Sequence, residues 1–259
     1  MNIIVLVKQV PDTATRIQDR IKNGTIDLEG ATMVVNPYDE FAVEESLRLK
    51  ERHGGSVTLL ALGPDRVQSA LKDMLALGAD EAIQLWDPAY ADLGPRGVAH
   101  VLAAAVRKLP HDMVWTGWKG VDDDQGLVPP YVAHMLGYPH ASYVSSFELQ
   151  GDRAVVVSDV EGGKETLEVK LPAVFSAQKG LNDVRYASLK GIMAVKRKEI
   201  PVWGAADVGL DVAGLPRPGL KTVTVERPPD RPPGRKLEGS VEEMARELVR
   251  LLHEEAKVL

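Results

Sequence analysis

Apolar and polar positions along the chain follow two alternating periods. Asn2 to Lys8 (NIIVLVK) is a near-continuous apolar run. Such a run marks a strand covered on both faces in a parallel sheet. Ser56 to Leu62, Glu81 to Leu85 and Met113 to Thr116 repeat the type. Between them the spacing becomes helical. In Asp39 to Arg52, the residues Ala42, Val43, Leu47 and Leu49 share one broad face, and Glu44, Glu45 and Arg48 the other, as a surface helix requires. Asp65 to Leu77 carries a stripe of Val67, Ala70, Leu71 and Met74. Pro95 to Leu109 carries Val98, Leu102, Ala105, Val106 and Leu109, and Val128 to Leu136 is a further helical run. Alternating strands and helices predict an α/β class, with a doubly wound parallel sheet and right-handed crossovers.

After Pro139 the period shortens. Ser142 to Leu149, Arg153 to Asp159 and Thr166 to Lys170 read as strands separated by Gln150-Gly151-Asp152 and Glu161-Gly162-Gly163-Lys164, which are hairpin signals. An antiparallel extension of the parallel sheet follows. Ala173 to Ser176 is a short apolar strand after Pro172. It leads into a polar loop, Gln178 to Lys190, with a lone apolar side chain, Leu189, near its end. Basic residues crowd the far side: Lys190, Lys196, Arg197 and Lys198. Pro201 to Gly239 is too rich in proline for long helices or central strands and reads as an extended arm. Ser240 with Glu243 forms a capping box that opens a helix striped by Val241, Met244, Leu248, Leu251 and Leu252. The expected organisation is an α/β domain over 1–200 and an arm with an amphipathic helix over 201–259. The stripe must be buried against the chain's own domain or against another subunit.

The 259 residues can bury a sizeable core. The net charge of −6 gives no support to general nucleic-acid binding. There is no cysteine, which removes disulfides, thiolate metal sites, iron–sulfur clusters and cysteine nucleophiles together. No run approaches the roughly 18 apolar residues of a membrane span. Asn2 to Val7 reads as a buried strand rather than a secretion signal. A cytoplasmic protein with no direct membrane insertion is expected.

Common nucleotide signatures are missing: no GxGxxG follows the first strand, and no GxxxxGK[ST] occurs. A doubly wound sheet can still hold a ligand beyond the carboxyl ends of its strands. Three segments meet there: the turn after Val7, Asn36-Pro37-Tyr38-Asp39, and Gly117-Trp118-Lys119-Gly120-Val121-Asp122-Asp123-Asp124. Asn36 to Asp39 reads as a helix start, as a ligand contact, or as both. The glycines of the third segment permit positive φ and close backbone approach. Its carboxylates suit a solvated turn, ribose hydroxyls, a helix cap or a divalent ion. Lys8 to Thr13 reads as a connecting turn. His53, His100, His111, His134, His140 and His253 show no ligand spacing and read as surface or capping residues. Of Trp115 and Trp118, one is expected in the core. No nucleophile, general base or metal cage stands out.

Several blocks together resemble the β subunit of electron-transfer flavoproteins. They are IIVLVKQVPD at 3–12, NPYDEFAVEESLRLKE at 36–51, LALGADEAIQL at 75–85, GWKGVDDD at 117–124 in part, EGGKETLEVKLPAVFS at 161–176 and LNDVRYASLKGIM at 181–193. They span nearly the whole chain in the family's order. The resemblance implies an adenine nucleotide α-hydrolase-like sheet and an AMP that serves structure rather than redox chemistry. By position, its contacts fall on Leu6, Asn36, Pro37, Tyr38, Asp39, Leu62, Gly117, Trp118, Lys119, Gly120, Val121, Asp122, Asp123, Asp124, Gln125, Gly126, Leu127 and Val128. Leu127 and Pro129 stand where typical members carry Gln and Gly, and the lost Gln amide is a lost phosphate donor. The resemblance further implies FAD held mainly by an α subunit, with Lys8 to Thr13 bordering it. An aromatic residue that some members carry near Thr13 is absent. The C-terminal arm would reach across to that α subunit. Leu189 would be the anchor for acyl-CoA or other flavin dehydrogenases, where the residues alone also permit a buried leucine at a helix start. Asp159 would meet the partner's flavin domain, or else it is a solvated strand-end acid. Electrons would leave to a quinone oxidoreductase, and this subunit would carry no catalytic residue of its own.

Other readings fit less of the chain. A bifurcating relative would hold a second FAD in place of AMP, but 36–51 looks more like the non-bifurcating group. An ATP-using enzyme on the same sheet needs a Ser/Gly-rich loop after the first strand, where this chain has KQVPDT. A stand-alone nucleotide-binding stress protein leaves the arm and the 178–190 loop unexplained.

Overall fold

The structure, a computed structural model, describes residues 1–230 and 233–259. Nine strands form one sheet: β1 (Asn2–Leu6), β2 (Ser56–Leu62), β3 (Glu81–Leu85), β4 (Met113–Gly117), β5 (His140–Gln150), β6 (Arg153–Val160), β7 (Gly163–Lys170), β8 (Ala173–Ala177) and β9 (Val202–Trp203). Their spatial order is β7-β6-β5-β8-β4-β1-β2-β3-β9. From β5 to β9 in that order every neighbouring pair is parallel. Only β5–β6 and β6–β7 are antiparallel. The expected α/β class and doubly wound parallel sheet are therefore present.

Strand alternation divides the interior in two. Ile3, Val5, Val57 and Leu59 face a core built with α1 (Pro37–His53) and α2 (Val67–Leu77). Ile4, Leu6, Leu60 and Val114 face a second core with α3 (Pro95–Val106) and α4 (Val128–Leu136). Covering both faces is what makes the parallel strands apolar throughout. Trp115 and Phe175 are fully buried in the first core. Their rings and that of Phe147 form a mutual triad with centroids 5.1 Å apart. This triad ties the antiparallel strands to the parallel ones.

The expected antiparallel extension is present: β5 joins the parallel sheet beside β8, Val174 opposite His140 and Phe175 opposite Ala141, and β6 and β7 continue it antiparallel. Hairpin signals locate strands but say nothing about where the first of them inserts. One element differs from expectation: the stretch after Pro201 starts as a strand at the sheet's edge. Val202 and Trp203 extend it beside Gln84 and Leu85. A one-turn helix α6 (Ala205–Val208) and Leu215 then pack on the second core. Pro201 precedes that edge strand, a position where a missing amide costs no ladder bond. The polar loop after β8 ends in a short helix, α5 (Leu189–Val195), capped by Ser188. The C-terminal helix, α7 (Val241–Glu254), has the expected Ser240–Glu243 capping box, and none of its residues is buried.

Phe175→Ala should remove the centre of the aromatic triad and cost about 3–5 kcal/mol. Urea unfolding should show a lower midpoint at unchanged slope; an unmoved midpoint would contradict this core assignment.

Candidate functional site

The path of the chain across the sheet reverses at β1 and β4. From β1 it winds outward through β2 and β3, then returns to the opposite side of β1 as β4. In open α/β sheets this switch point leaves a crevice beyond the carboxyl ends of the two strands. The loops after β1 and β4 and the start of α1 converge there.

Asp39 and Asn36 bolt these loops together. Asp39 is buried and accepts hydrogen bonds from the Lys8 amide at 2.6 Å, the Gly117 amide at 2.9 Å and the Asn36 side-chain amide at 2.9 Å. Asn36 also donates to the Lys119 carbonyl at 2.9 Å and accepts from the Val121 amide at 3.2 Å. Its side chain therefore makes no helix cap; it reaches across to the β4 loop. Pro37 occupies the first helical position, where a missing N–H costs nothing. Burial pushes the Asp39 carboxyl up to about 7, against the opposing pull of its three N–H donors.

The glycines serve close approach rather than left-handed backbone. A Cβ on Gly117 would lie 2.4 Å from Asp39 Oδ1, and one on Gly120 would lie 2.5 Å from Asp122 Oδ1. In this loop only Gly126, with φ +60°, and Asp124, with φ +55°, adopt the left-handed region. The three carboxylates take lysines as partners. Lys8 Nζ binds Asp122 at 2.7 Å and Asp123 at 3.0 Å, and Lys119 Nζ binds Asp124 at 2.7 Å. Burial alone would lower the Lys8 ammonium; the pairs with Asp122 and Asp123 outweigh it and hold it above its ordinary value. Gln125 folds back onto Asp123 through its amide at 3.3 Å.

Aromatic side chains line the same edge. Trp118 packs against Tyr38 at 5.4 Å and Tyr143 at 4.7 Å between ring centroids, with Lys119 Nζ 4.4 Å from its ring. The indole N–H of Trp118 is buried without a hydrogen-bond partner. Trp115, by contrast, is the core tryptophan. Tyr143 has φ +53° and sits where the β8–β5 register shifts. Nothing in the sequence flags Tyr143, because a bulge leaves no periodic trace. The lysine partners were not foreseen either, since exposed aspartates can equally be solvated.

The other expected residues fall at distinct places. Leu6 is buried in the second core and Leu62 packs partly against it, both at or near carboxyl ends of strands. Leu127 is exposed at the N-cap of α4, whose first turn contains Val128, Pro129 and Pro130. Two prolines there remove amides that an ordinary helix start would offer. Asp159 accepts from Ser145 Oγ at 3.0 Å and pairs with Lys164 at 3.4 Å. Leu189 is 74% exposed, which rules out the buried-leucine alternative in this chain. His140 departs from the surface reading. It is half-buried beside Ser176 Oγ at 3.3 Å, and burial pushes its imidazole down to about 4.

Comparison with known proteins identifies the family. The family model for the electron transfer flavoprotein domain matches residues 23–208. The chain belongs to the electron transfer flavoprotein β-subunit family. A protein named electron transfer flavoprotein subunit beta from Clostridium acetobutylicum is 41% identical over 85% of this chain and 84% of its own. Proteins of the same name from Bacillus subtilis and Homo sapiens are 36% and 37% identical. The first alignment covers 100% of both chains, and the second covers 92% of this chain and 93% of the human one. Membership in the electron transfer flavoprotein β family assigns the chain to electron transport by a flavoprotein.

The buried Asp39 sets a pH dependence. Its folded value lies above its unfolded value, so the folded state takes up a proton first as pH falls. The resulting stabilisation is complete below the unfolded value of 3.8 and is lost as pH rises through about 7. The stability gap between wild type and Asp39→Asn should therefore widen by about 2–3 kcal/mol from about pH 8 to about pH 5. Urea titrations at both pH values check this; a pH-independent gap would show that the carboxyl stays ionised.

Proposed function

We propose that the chain is the β half of a heterodimeric electron carrier whose α subunit holds most of the FAD. The observation that carries this reading is apolar surface left outside at two separate places. On α7, Val241 is 78% exposed and Leu248 and Val249 are exposed as well. On α5 and the loop before it, Tyr186, Leu189, Ile192 and Met193 are exposed. Large apolar side chains exposed together on one element are a feature of protein interfaces. The helix on its arm suits a permanent partner, the α subunit. The small apolar tip at Leu189 suits a transient one, in which a single anchor supplies most of the binding energy. Acyl-CoA or other flavin dehydrogenases would dock there and reduce the flavin. Electrons would pass on to a quinone oxidoreductase. FAD would supply the redox chemistry, and this chain would supply a rigid platform, consistent with a carrier subunit without catalytic residues.

The switch-point crevice fits an adenine nucleotide held for structure. The unpartnered indole N–H of Trp118 is a donor in search of an acceptor. Lys8 and Lys119 are the cations at hand for a phosphate. They take on more of that role because Leu127, Pro129 and Pro130 offer neither a side-chain amide nor a full set of helix-start N–H groups. AMP is the member of this class that the family reading favours. The reading extends to Asn36 to Asp39, which would shape the crevice through the bolt described above rather than through free donors.

Co-expression with the α subunit, followed by mass spectrometry of the released nucleotides, tests both halves. One FAD and one AMP per heterodimer are expected; two FAD and no AMP would establish the bifurcating alternative instead. Deleting residues 240–259 should raise the heterodimer dissociation constant by at least about tenfold. An unaltered constant would remove α7 from the interface.

A further inference from the structure

The segment that carries Leu189 has almost no secondary structure of its own, yet it is fastened at two points. From Leu181 to Ser188 the backbone is irregular. Side chains of α1 take the place of a ladder. Arg185 Nε donates to Glu44 Oε2 at 2.8 Å and Nη2 to Glu44 Oε1 at 3.2 Å. Its Nη2 also donates to Glu51 Oε2 at 3.1 Å and its Nη1 to Glu51 Oε1. The Arg185 amide adds a bond to Glu44 at 3.3 Å. Arg48, on the other side of Glu44, holds the Asp183 carbonyl at 2.8 Å, and Asn182 holds the Phe41 carbonyl at 3.0 Å.

Glu44 is the unusual member. Its side chain is 2% exposed on a helix face that should be polar and wet. Burial raises its carboxyl, but the bonds from Arg185 and Arg48 outweigh burial and hold it below the ordinary carboxylate range. Charge-assisted, fork-like bonds of this kind keep a buried carboxylate ionised. The second fastening lies beyond Leu189. Gly191 sits so close to the end of α2 that a Cβ would lie 2.3 Å from the Ala76 carbonyl. Between the two fastenings the chain turns to solvent: Tyr186 is 97% exposed and Leu189 is 74% exposed.

We propose that Arg185 is a positioning residue: gripped by Glu44 and Glu51 of α1, it fixes the direction in which the loop presents Leu189 to a protein partner. This rests on the docking reading of Leu189 given above. A loop ordered in advance spares the complex the entropy of ordering it, so loosening the grip weakens association and leaves the electron-transfer step itself alone.

The test uses the complete heterodimer as electron acceptor for its acyl-CoA dehydrogenase. Arg185→Ala should raise the KM for the heterodimer about tenfold at unchanged kcat. Arg185→Lys, which keeps the charge but loses the fork, should fall between. Hydrogen exchange should speed up across 181–188 and stay unchanged in the sheet. In a Leu189→Ala background, Arg185→Ala should add less than about twofold, because the anchor it positions is gone. A purely structural role would leave the two effects multiplicative and would overturn the proposal. So would wild-type KM in Arg185→Ala beside an impaired Leu189→Ala. If Leu189→Ala also leaves KM unchanged, the docking reading itself fails and takes this proposal with it. Should Arg185→Ala fail to fold, Glu51→Gln loosens the grip from its exposed side. It should raise KM in the same direction, and an unchanged KM there counts against the proposal.

Discussion

A single buried carboxylate organises the carboxyl edge of this sheet. Asp39 collects N–H groups from the end of β1, from the end of β4 and from Asn36 just before its own helix. Those groups belong to segments far apart in sequence, and each would otherwise present an unpaired donor at a crowded edge. Their common acceptor sets how close the loops can come, and Gly117 makes that approach sterically possible. The crevice, the aromatic edge around Trp118 and the lysine-paired aspartates all take their positions from this junction. The polar residues that looked most like ligand contacts are thus already occupied with one another. The two lysines are among them, paired with Asp122, Asp123 and Asp124.

The same division of labour recurs further along α1. There Glu44 is buried by arginine partners from its own helix and from a distant loop. One helix therefore braces the switch-point crevice with its first turn and the exposed loop with a later one. Such a scaffold is suited to holding surfaces still while another body moves against it.

The fold was legible to the extent that burial was periodic. The apolar runs at Asn2 to Lys8, Ser56 to Leu62 and Met113 to Thr116 identified central parallel strands, because only a strand covered on both faces is apolar throughout. Helix α1 was visible for the complementary reason. Glu44 was placed on its wet face, since a helical wheel cannot foresee that Arg185, 141 residues later, will cover it. The strand at Val202 escaped notice because two residues carry no period. At the site, glycine spacing pointed to the right loop and left two properties open: close approach, to Asp39 and Asp122, is the one that demands Gly117 and Gly120, while neither has a positive φ. Leu189 could not be assigned to core or surface from its neighbours alone, because a lone leucine in a polar segment has no pattern to join.

The two borders of the sheet have a further consequence. At one side β7 is an outermost strand whose outward positions include Lys164, Glu165, Glu168 and Lys170. At the other, β9 is only two residues long and follows a proline. Neither border offers a long, neutral row of free amides and carbonyls on which a second molecule could stack. A newly made chain with exposed apolar patches elsewhere therefore has little sheet edge along which to grow sideways into fibres.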